Sequence, residues 1–376
     1  MAANASVQRP RYPIILIRRI LPLLILLLLP IASLHARQNF EGVPHIWQVF
    51  LQRDVETGGA DRITFVDLLT AEQTALVVDG ERYTLMRGSV LYLDRITRRV
   101  MLAFPDGDSR EHPFIQPDAQ TRRVDWLLSA DAKMIAWTLT GGTSENLTTR
   151  TSVANLDGSN LHEVFLDGPR NAIRAMPVAF STDNTHLYMD FQPDGFSDFA
   201  PYPQFAGLFT INMDGSGTWE YLPDEPACFC GAGFGSGLML RLKVSADLSG
   251  FDLNVYNLTG QVEQTILAQP IRNYTQAGNI ILSPDGSRAV YALAQIQNFG
   301  RADQSVQTVF MLVDLQRMTQ RALTEPITTF VEPVTWTEDN TAIIFTSRQR
   351  DGTWKINLAD GALVRVADAT FLGTAG

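Results

Sequence analysis

Short apolar runs separated by polar turns recur along most of this chain, and this pattern predicts β-strands. The recurring unit is an apolar run, then Ser or Thr, any residue, Asp, a turn, and a second apolar run. This first turn occurs clearly at Ser129–Asp131, Ser181–Asp183, Ser283–Asp285 and Thr337–Asp339, and more weakly at Ser245–Asp247. The flanking β-branched and aromatic residues favour a half-buried pleated surface, and Asp can accept hydrogen bonds from the amides of the turn. Each copy therefore predicts a β-hairpin.

A second turn follows each copy and lies between two further short apolar runs. It occurs at Asn155–Gly158, Asn212–Gly215, Asn257–Gly260 and Asn357–Gly361, with Val313–Gln316 in its place in the unit from Ile280. Each unit thus consists of four predicted strands with two hairpin signals. Such units, with almost no helical periodicity, predict an all-β fold, a β-propeller of four-stranded antiparallel blades. The alternative is a β-sandwich with coincidental turns.

The number of blades follows less directly from the pattern. Five units start near Val124, Met176, Leu238, Asn279 and Pro333, and a sixth without the Asp signature contains Tyr83–Met86, Val90–Leu93 and Val100–Phe104. Three more predicted strands, at Ile46–Phe50, Ile63–Leu69 and Thr74–Val78, either complete the last blade or form a seventh. We expect six blades, with seven as the alternative. Since closing the ring removes exposed sheet edges, an N-terminal strand should pair with the C-terminal unit.

One unit resembles a known repeat closely. Ser283-Pro-Asp-Gly286, followed by the apolar Ala289–Tyr291, resembles the TolB-type, WD40-like propeller repeat. Val334–Trp336 and the closing Arg321–Thr324 match further elements of that repeat, and the resemblance covers about residues 120–368. In other units the Pro-Asp-Gly core has become Ala-Asp-Ala, Thr-Asp-Asn or Glu-Asp-Asn. The resemblance implies a propeller and a place in cell-envelope assemblies, but it fixes no partner.

Residues 1–37 differ from the rest of the chain and predict export. Ile20–Leu34 is an uncharged run of 15 residues, and two arginines immediately precede it. A basic flank before a short apolar run matches a signal peptide, and the run is shorter than a spanning helix needs. The segment is either cleaved after Ala36 or kept as an uncleaved anchor helix through residues 13–34. A twin-arginine signal and a buried core helix are the further alternatives. We expect an extracytoplasmic location, whether periplasmic, secreted or on the cell surface.

The remaining residues, 38–376, are predicted to form a single propeller domain, and this part of the chain is acidic. It contains 25 Lys and Arg against 40 Asp and Glu, a net charge of −15. Such a surface repels phosphate backbones, which argues against a nucleic-acid partner. The sequence contains no G-x-S-x-G elbow, phosphate-binding loop or H-E-x-x-H motif, and its histidines occupy unmatched positions in the units. We therefore predict no catalytic residues, no metal site and no cofactor.

The two cysteines, Cys228 and Cys230, are separated by one residue. This spacing does not fit a CxxC redox motif, and no second pair completes a zinc site. A bond between them would close a very small ring. We expect either a disulfide that staples a loop or two ordinary thiols.

Two loops contain the candidate binding residues. The insertion Asp190–Phe205 is rich in carboxylates, which could bind a cation, and in aromatic rings, which could dock a peptide or sugar. In the loop Phe229–Phe234, glycines allow close backbone approach. The candidates are Asp190, Asp194, Phe196, Asp198, Phe199, Tyr202, Phe229 and Phe234. Alternatively, the aromatic residues of the insertion pack together as a small satellite core, and the second loop is an ordinary connector.

These patterns favour a non-catalytic scaffold that binds an unidentified protein or glycan through loops at one mouth of the ring. The alternative is a carbohydrate hydrolase or lyase that uses carboxylates near the central channel as acid and base. The lining of the channel distinguishes the two hypotheses. An enzyme should gather two or more titratable groups with perturbed pKa there, whereas a scaffold should present apolar, Ser, Thr and glycine residues.

Overall fold

The computed structural model describes residues 45–54, 59–196, 200–226, 228–257, 260–347 and 352–376. The predicted signal or anchor segment lies outside these ranges, as do the candidates Asp198 and Phe199. Within the ranges described, no helix has the length and apolar character needed to cross a membrane.

The described residues form seven antiparallel sheets of four strands each, arranged as the blades of a propeller. The prediction of an all-β propeller is therefore confirmed. The expectation of six blades is wrong, because the three N-terminal strands form a blade of their own. That blade is completed by the last strand of the chain.

The strands follow the blades in chain order, except that blade 1 combines both ends of the chain. Blade 1 consists of β1 (Trp47–Gln52), β2 (Asp61–Asp67), β3 (Gln73–Val78) and β28 (Thr370–Ala375). Blade 2 consists of β4 (Gly80–Met86), β5 (Ser89–Asp94), β6 (Val100–Ala103) and β7 (Ser109–Glu111). Blade 3 consists of β8 (Thr121–Leu128), β9 (Met134–Thr143), β10 (Asn146–Asn155) and β11 (His162–Arg170). Blade 4 consists of β12 (Ile173–Phe180), β13 (His186–Pro193), β14 (Leu208–Asn212) and β15 (Trp219–Tyr221). Blade 5 consists of β16 (Ala232–Gly235), β17 (Leu238–Val244), β18 (Phe251–Tyr256) and β19 (Val262–Ile266). Blade 6 consists of β20 (Gln276–Leu282), β21 (Arg288–Gln297), β22 (Ser305–Asp314) and β23 (Thr319–Ala322). Blade 7 consists of β24 (Glu332–Trp336), β25 (Ala342–Thr346), β26 (Thr353–Asn357) and β27 (Leu363–Ala367).

The ring is closed by the antiparallel pairing of β28 with β1. Leu51 lies opposite Thr370, and the rings of Phe50 and Phe371 are 5.5 Å apart. Strand β28 also contacts β4 and β24, the first strands of the two neighbouring blades, so it is the inner strand of blade 1. Because the inner and second strands of this blade are not consecutive in the chain, blade 1 has no first turn for the sequence to reveal.

The Ser/Thr-x-Asp turns are closed by local hydrogen bonds. In blade 6, Ser283 Oγ donates to Asp285 Oδ1 at 2.6 Å, and the same oxygen accepts a bond from the amide of Ser287 at 3.0 Å. These bonds favour the charged carboxylate and lower the pKa of Asp285 to about 2. In blades 3, 4, 6 and 7 this turn joins the first and second strands.

The fifth copy, in blade 5, occupies a different position from the other four. Ser245–Asp247 lies between β17 and β18, the second and third strands of blade 5, so the predicted start of this unit at Leu238 is wrong. The blade begins at Ala232, and its first hairpin is the tight turn that pairs Gly235 with Leu238. Ser245 Oγ still donates to Asp247 Oδ1, at 2.8 Å. Because the motif is closed by its own side chains, it can serve any hairpin of a blade.

Apolar layers fill most of the spaces between blades. In the part of the chain that the structure describes, six buried clusters occupy six of the seven interfaces between neighbouring blades. Between blades 7 and 1, a buried threonine makes a polar contact. Thr353 Oγ1 donates to Ala369 O at 2.7 Å and accepts a bond from the amide of Phe371 at 2.8 Å. This hydroxyl fixes the start of β28 against blade 7.

Replacing Thr353 by valine tests this contact. The change keeps the side-chain shape but removes the hydrogen-bond partner of the Phe371 N–H and the Ala369 C=O, so the free energy of unfolding should fall by about 1–3 kcal/mol. Urea unfolding measures the loss. Thr148→Val, at an exposed position of β10, is the control and should be nearly neutral. Equal stability of the two variants would show that the hydroxyl of Thr353 does not support ring closure.

Candidate functional site

Two cavities open at opposite ends of the central channel. The larger, of about 1010 Å³, lies where the first strands of the blades begin, and we call it the basic mouth. The smaller, of about 440 Å³, lies beside the hairpins that join the first and second strands, and we call it the apolar mouth. The basic mouth is defined by Arg82, Arg98, Arg122, Arg123, Gln192 and Asp194. The apolar mouth is defined by Leu128, Val178, Phe180, Gly233, Phe234 and Ile280.

The insertion of blade 4 separates the two cavities. Pro203 and Phe205 line both of them, and we call residues 200–206 the plug. Tyr202 is buried, and its hydroxyl lies 3.4 Å from Thr308 Oγ1 in blade 6. Gln204 Nε2 donates to the carbonyl oxygen of Ala277, in the inner strand of the same blade, at 2.7 Å. The plug therefore extends from blade 4 to the inner face of blade 6.

The C-terminal end of the plug is fixed to blade 5. The backbones of Phe205 and Cys230 exchange two hydrogen bonds, of 3.0 and 3.2 Å. The fully buried Arg241 donates to the carbonyl oxygens of both residues and forms an ion pair with Glu225. Beside this contact Cys228 and Cys230 form a disulfide, one of the two alternatives that the sequence left open. The loop that contains the cysteines thus holds the plug.

Asp190 fixes the segment that returns from the plug to the sheet. Its carboxylate is fully buried and accepts hydrogen bonds from the amides of Ala206, at 3.1 Å, and Gly207, at 2.8 Å. Burial raises the pKa of Asp190 to about 6, although the two amides oppose this shift. Asp190 therefore contacts the polypeptide itself and does not line either mouth.

The other predicted binding residues lie in separate places. Asp194 lines the basic mouth, whereas Phe234 lines the apolar mouth, where its ring is 5.0 Å from that of Tyr188. Phe196 packs on the exposed Phe229, with ring centroids 4.6 Å apart. The structure does not gather these residues into one site. The buried Tyr202 belongs to the apolar layer between blades 6 and 7, so it is not part of a satellite core within the insertion.

The glycines of the second loop have a packing role. A Cβ on Gly233 would lie 2.5 Å from the Cβ of Ile280, and one on Gly231 would lie 2.8 Å from the Cα of Gly278. As predicted, another group comes close to the backbone of this loop, and that group is the inner strand of blade 6. Glycine is needed here because any side chain would push β16 away from β20.

Arg82 and Arg123 line the basic mouth and share a buried carboxylate with Arg174, which lies behind this lining. Asp125 accepts bonds from Arg82 at 2.5 Å, from Arg123 at 3.3 Å and from the fully buried Arg174 at 2.5 Å. Burial disfavours the charged form of Asp125, but Arg174 and its two neighbours outweigh this effect and lower the pKa of Asp125. Burial, together with repulsion from Arg123 and Arg82, lowers the pKa of Arg174. Three guanidinium groups thus bond to the same carboxylate.

The outer part of the basic mouth is also rich in arginine. Arg122 Nη2 pairs with Asp194 Oδ2 at 3.0 Å, and Arg98 Nη1 pairs with Glu81 Oε1 at 2.8 Å. Five arginines and three carboxylates occur in the described lining, although residues 38–376 have a net charge of −15.

Sequence reasoning did not identify this cluster. The five arginines of its lining come from blades 1, 2 and 3 and the buried Arg174 from blade 4, so in the sequence they are separated by as many as 121 positions, from Arg53 to Arg174. The local signals are two arginine pairs, Arg98-Arg99 and Arg122-Arg123, in an otherwise acidic domain.

The remaining chemistry of the two mouths is limited. The described lining of the apolar mouth consists of apolar, Ser, Thr, Asn, Gly, Pro and Tyr residues, without Asp, Glu, His, Lys or Arg. Among the residues described, no group of three or more His, Cys, Asp or Glu is placed to hold a metal ion.

Comparison with known proteins supports the fold. No protein-family model and no curated protein sequence matches the chain. Similar solved structures include an acylaminoacyl peptidase from Pyrococcus horikoshii, with a TM-score of 0.52 and 12% identity over 85% of this chain and 50% of that one. A prolyl endopeptidase gives a TM-score of 0.50 and 13% identity over 81% and 44% of the two chains. The β-propeller domain of the Trilobed protease from Pyrococcus furiosus gives a TM-score of 0.48 and 10% identity over 85% and 93%.

These identities show a shared propeller fold and no shared activity. The part of the chain that aligns with the acylaminoacyl peptidase and the prolyl endopeptidase corresponds to about half of each of those proteins.

Asp190→Asn tests the electrostatic environment of the plug. Since folding raises the pKa of Asp190 from 3.8 to about 6, the folded state holds this proton more tightly, and the wild type loses stability as the pH rises from 4 to 7. Asparagine does not titrate, so the free energy of unfolding of the variant relative to wild type should increase by about 2–3 kcal/mol over that range. Urea unfolding at both pH values measures this difference. The exposed Asp108→Asn variant is the control, and the prediction fails if both variants respond alike.

Proposed function

We propose that this chain is an extracytoplasmic, non-catalytic propeller of the TolB type, which binds a protein or glycan in the cell envelope through its basic mouth. The plug is the observation that carries this proposal. Because it separates the two cavities, the basic mouth is a pocket with a floor. Hydrogen bonds to blades 5 and 6 hold this floor, and ligand pockets of this kind are usually formed before the ligand binds.

The state of the carboxylates supports binding rather than acid–base catalysis. Two of the three carboxylates in the described lining of the basic mouth, Glu81 and Asp194, each form an ion pair with an arginine. Asp190, the carboxylate whose pKa is raised to about 6, bonds to plug amides behind this lining. General acid–base catalysis needs a titrating group within reach of the substrate, and Asp190 lies in the wall of the pocket.

Three features support the proposed type and location. Five blades contain the same bond from Ser or Thr to Asp in a hairpin, and this bond underlies the resemblance to the TolB-type repeat. The Cys228–Cys230 disulfide supports the proposed location, because disulfides persist in oxidising compartments outside the cytoplasm. The apolar run at Ile20–Leu34 provides the export signal.

Export can be tested with a reporter. Alkaline phosphatase fused after residue 44 should be active in bacterial cells, because it folds only where disulfides form. The double variant Leu24→Arg/Leu28→Arg places two charges in the apolar run and should abolish the activity. Mass spectrometry of the exported fusion shows whether cleavage follows Ala36. An inactive wild-type fusion, or activity that survives both arginines, would overturn the proposed location.

A matched pair of steric variants tests which mouth binds. Ligands are first selected from arrays of envelope glycans and peptides, and calorimetry then measures their affinity for the full-length chain. Ala200→Trp places an indole in the basic mouth and should weaken binding about tenfold or more, whereas Ala130→Trp at the apolar mouth should not. Loss through Ala130→Trp alone, no ligand at all, or cleavage of the bound ligand would each contradict the proposal.

A further inference from the structure

The tripeptide Cys228-Phe229-Cys230 contacts the insertion of blade 4 at two points. The ring of Phe229 packs on that of Phe196, which lies ahead of the plug, with the centroids 4.6 Å apart. The backbone of Cys230 exchanges two hydrogen bonds, of 3.0 and 3.2 Å, with Phe205 near the C-terminal end of the plug. The tripeptide therefore contacts the insertion before the plug and within it.

The disulfide lies within this tripeptide and limits its conformations. It joins the two residues that flank Phe229, so it restricts both the side chain of Phe229 and the backbone of Cys230. Closing a loop of three residues removes chain entropy that corresponds to about a tenfold change in the equilibrium between its ordered and its open states. Without the bond, the same contacts would have to order a more flexible segment. The disulfide therefore favours the state in which blade 5 holds the plug.

The Cys228 end of the bond lies nearer the surface. Cys228 is partly exposed and precedes Phe229, which is 47% exposed, whereas Cys230 is buried. A disulfide is reduced by the attack of a thiolate on one of its sulfurs, so exposed disulfides are more labile than buried ones. The sequence contains no other cysteine, so a thiol reductant breaks no other bond of this chain.

We infer that the Cys228–Cys230 disulfide is a redox switch on the floor of the basic mouth, and that its reduction loosens the contact between the plug and blade 5. Pro203 and Phe205 line both cavities, so movement of Phe205 away from Cys230 would open a path between the two mouths. This inference rests on the proposed function for the role of the pocket, because an intact floor shapes the ligand site.

A dithiol is the class of reductant that the switch needs. Its thiolate attacks Sγ of Cys228, the S–S bond breaks, and Sγ of Cys230 leaves with the electron pair and takes up a proton. The second thiol of the reductant then attacks the reductant's own sulfur in the mixed disulfide. Cys228 is released as a thiol, and the reductant becomes a disulfide. The two cysteines thus gain two electrons and two protons, and oxidation reverses the change.

Hydrogen–deuterium exchange of the full-length chain, before and after treatment with dithiothreitol, tests the switch. The amides of Phe205 and Cys230 should exchange about tenfold faster after reduction, because the constraint on the loop is lost. Amides of β21, in blade 6, should exchange at an unchanged rate. Alkylation followed by mass spectrometry verifies that both cysteines are reduced without denaturant.

Two variants separate the disulfide from the packing around it. Cys228→Ser/Cys230→Ser lacks the bond and should show the faster exchange both with and without dithiothreitol. Phe229→Ala removes the ring contact with Phe196 but keeps the disulfide. In this variant the amides of Phe205 and Cys230 should stay protected until dithiothreitol is added.

The outcomes separate this inference from the proposed function. Equal exchange in the oxidised and reduced states, or a bond that is reduced only in denaturant, overturns the switch. Faster exchange in β21 as well would show general unfolding and also overturns it. None of these measurements needs a ligand. The absence of any ligand at the basic mouth would therefore overturn the proposed function and leave the switch intact.

Discussion

The antiparallel pairing of the first and last described strands is the constraint on which the rest of the molecule depends. Blades 2 to 7 are each continuous in sequence, but blade 1 exists only when β28 joins β1. Both mouths need the closed ring, since their walls come from several blades. Closure also contributes directly to the basic mouth, because Thr370 starts β28 and Arg53 follows β1. The two ends of the domain thus meet at the pocket proposed to bind the ligand.

Two fully buried arginines stabilise the hub in different ways. Arg241 donates to backbone carbonyls on both sides of the junction between the plug and blade 5, and Glu225 balances its charge. Arg174, in blade 4, shares Asp125 with Arg82 of blade 2 and Arg123 of blade 3, so this carboxylate joins three neighbouring blades.

Local chemistry was predictable from the sequence, and long-range pairing was not. The Ser/Thr-x-Asp hairpins could be recognised because their stabilising bonds lie within a few residues. The same property led to the wrong start for blade 5, because there the motif closes the hairpin between the second and third strands, whereas in the other blades it closes the hairpin between the first and second. Composition singled out the insertion, but the position of Tyr202 depends on blade 6, about 100 residues later in the chain. The arginine cluster forms only when four blades come together, and the sequence shows no more of it than two arginine pairs.

The register of β1 determines how the propeller would be presented at a surface. Trp47 lies opposite Ala375, at the end of the ring that holds the apolar mouth, and β1 runs from there toward Arg53 in the basic mouth. A tether attached ahead of Trp47 would therefore join the disc at its apolar face. The arginines would point away from an anchoring bilayer, toward soluble or cell-wall polymers, and out of contact with the lipid headgroups of that bilayer.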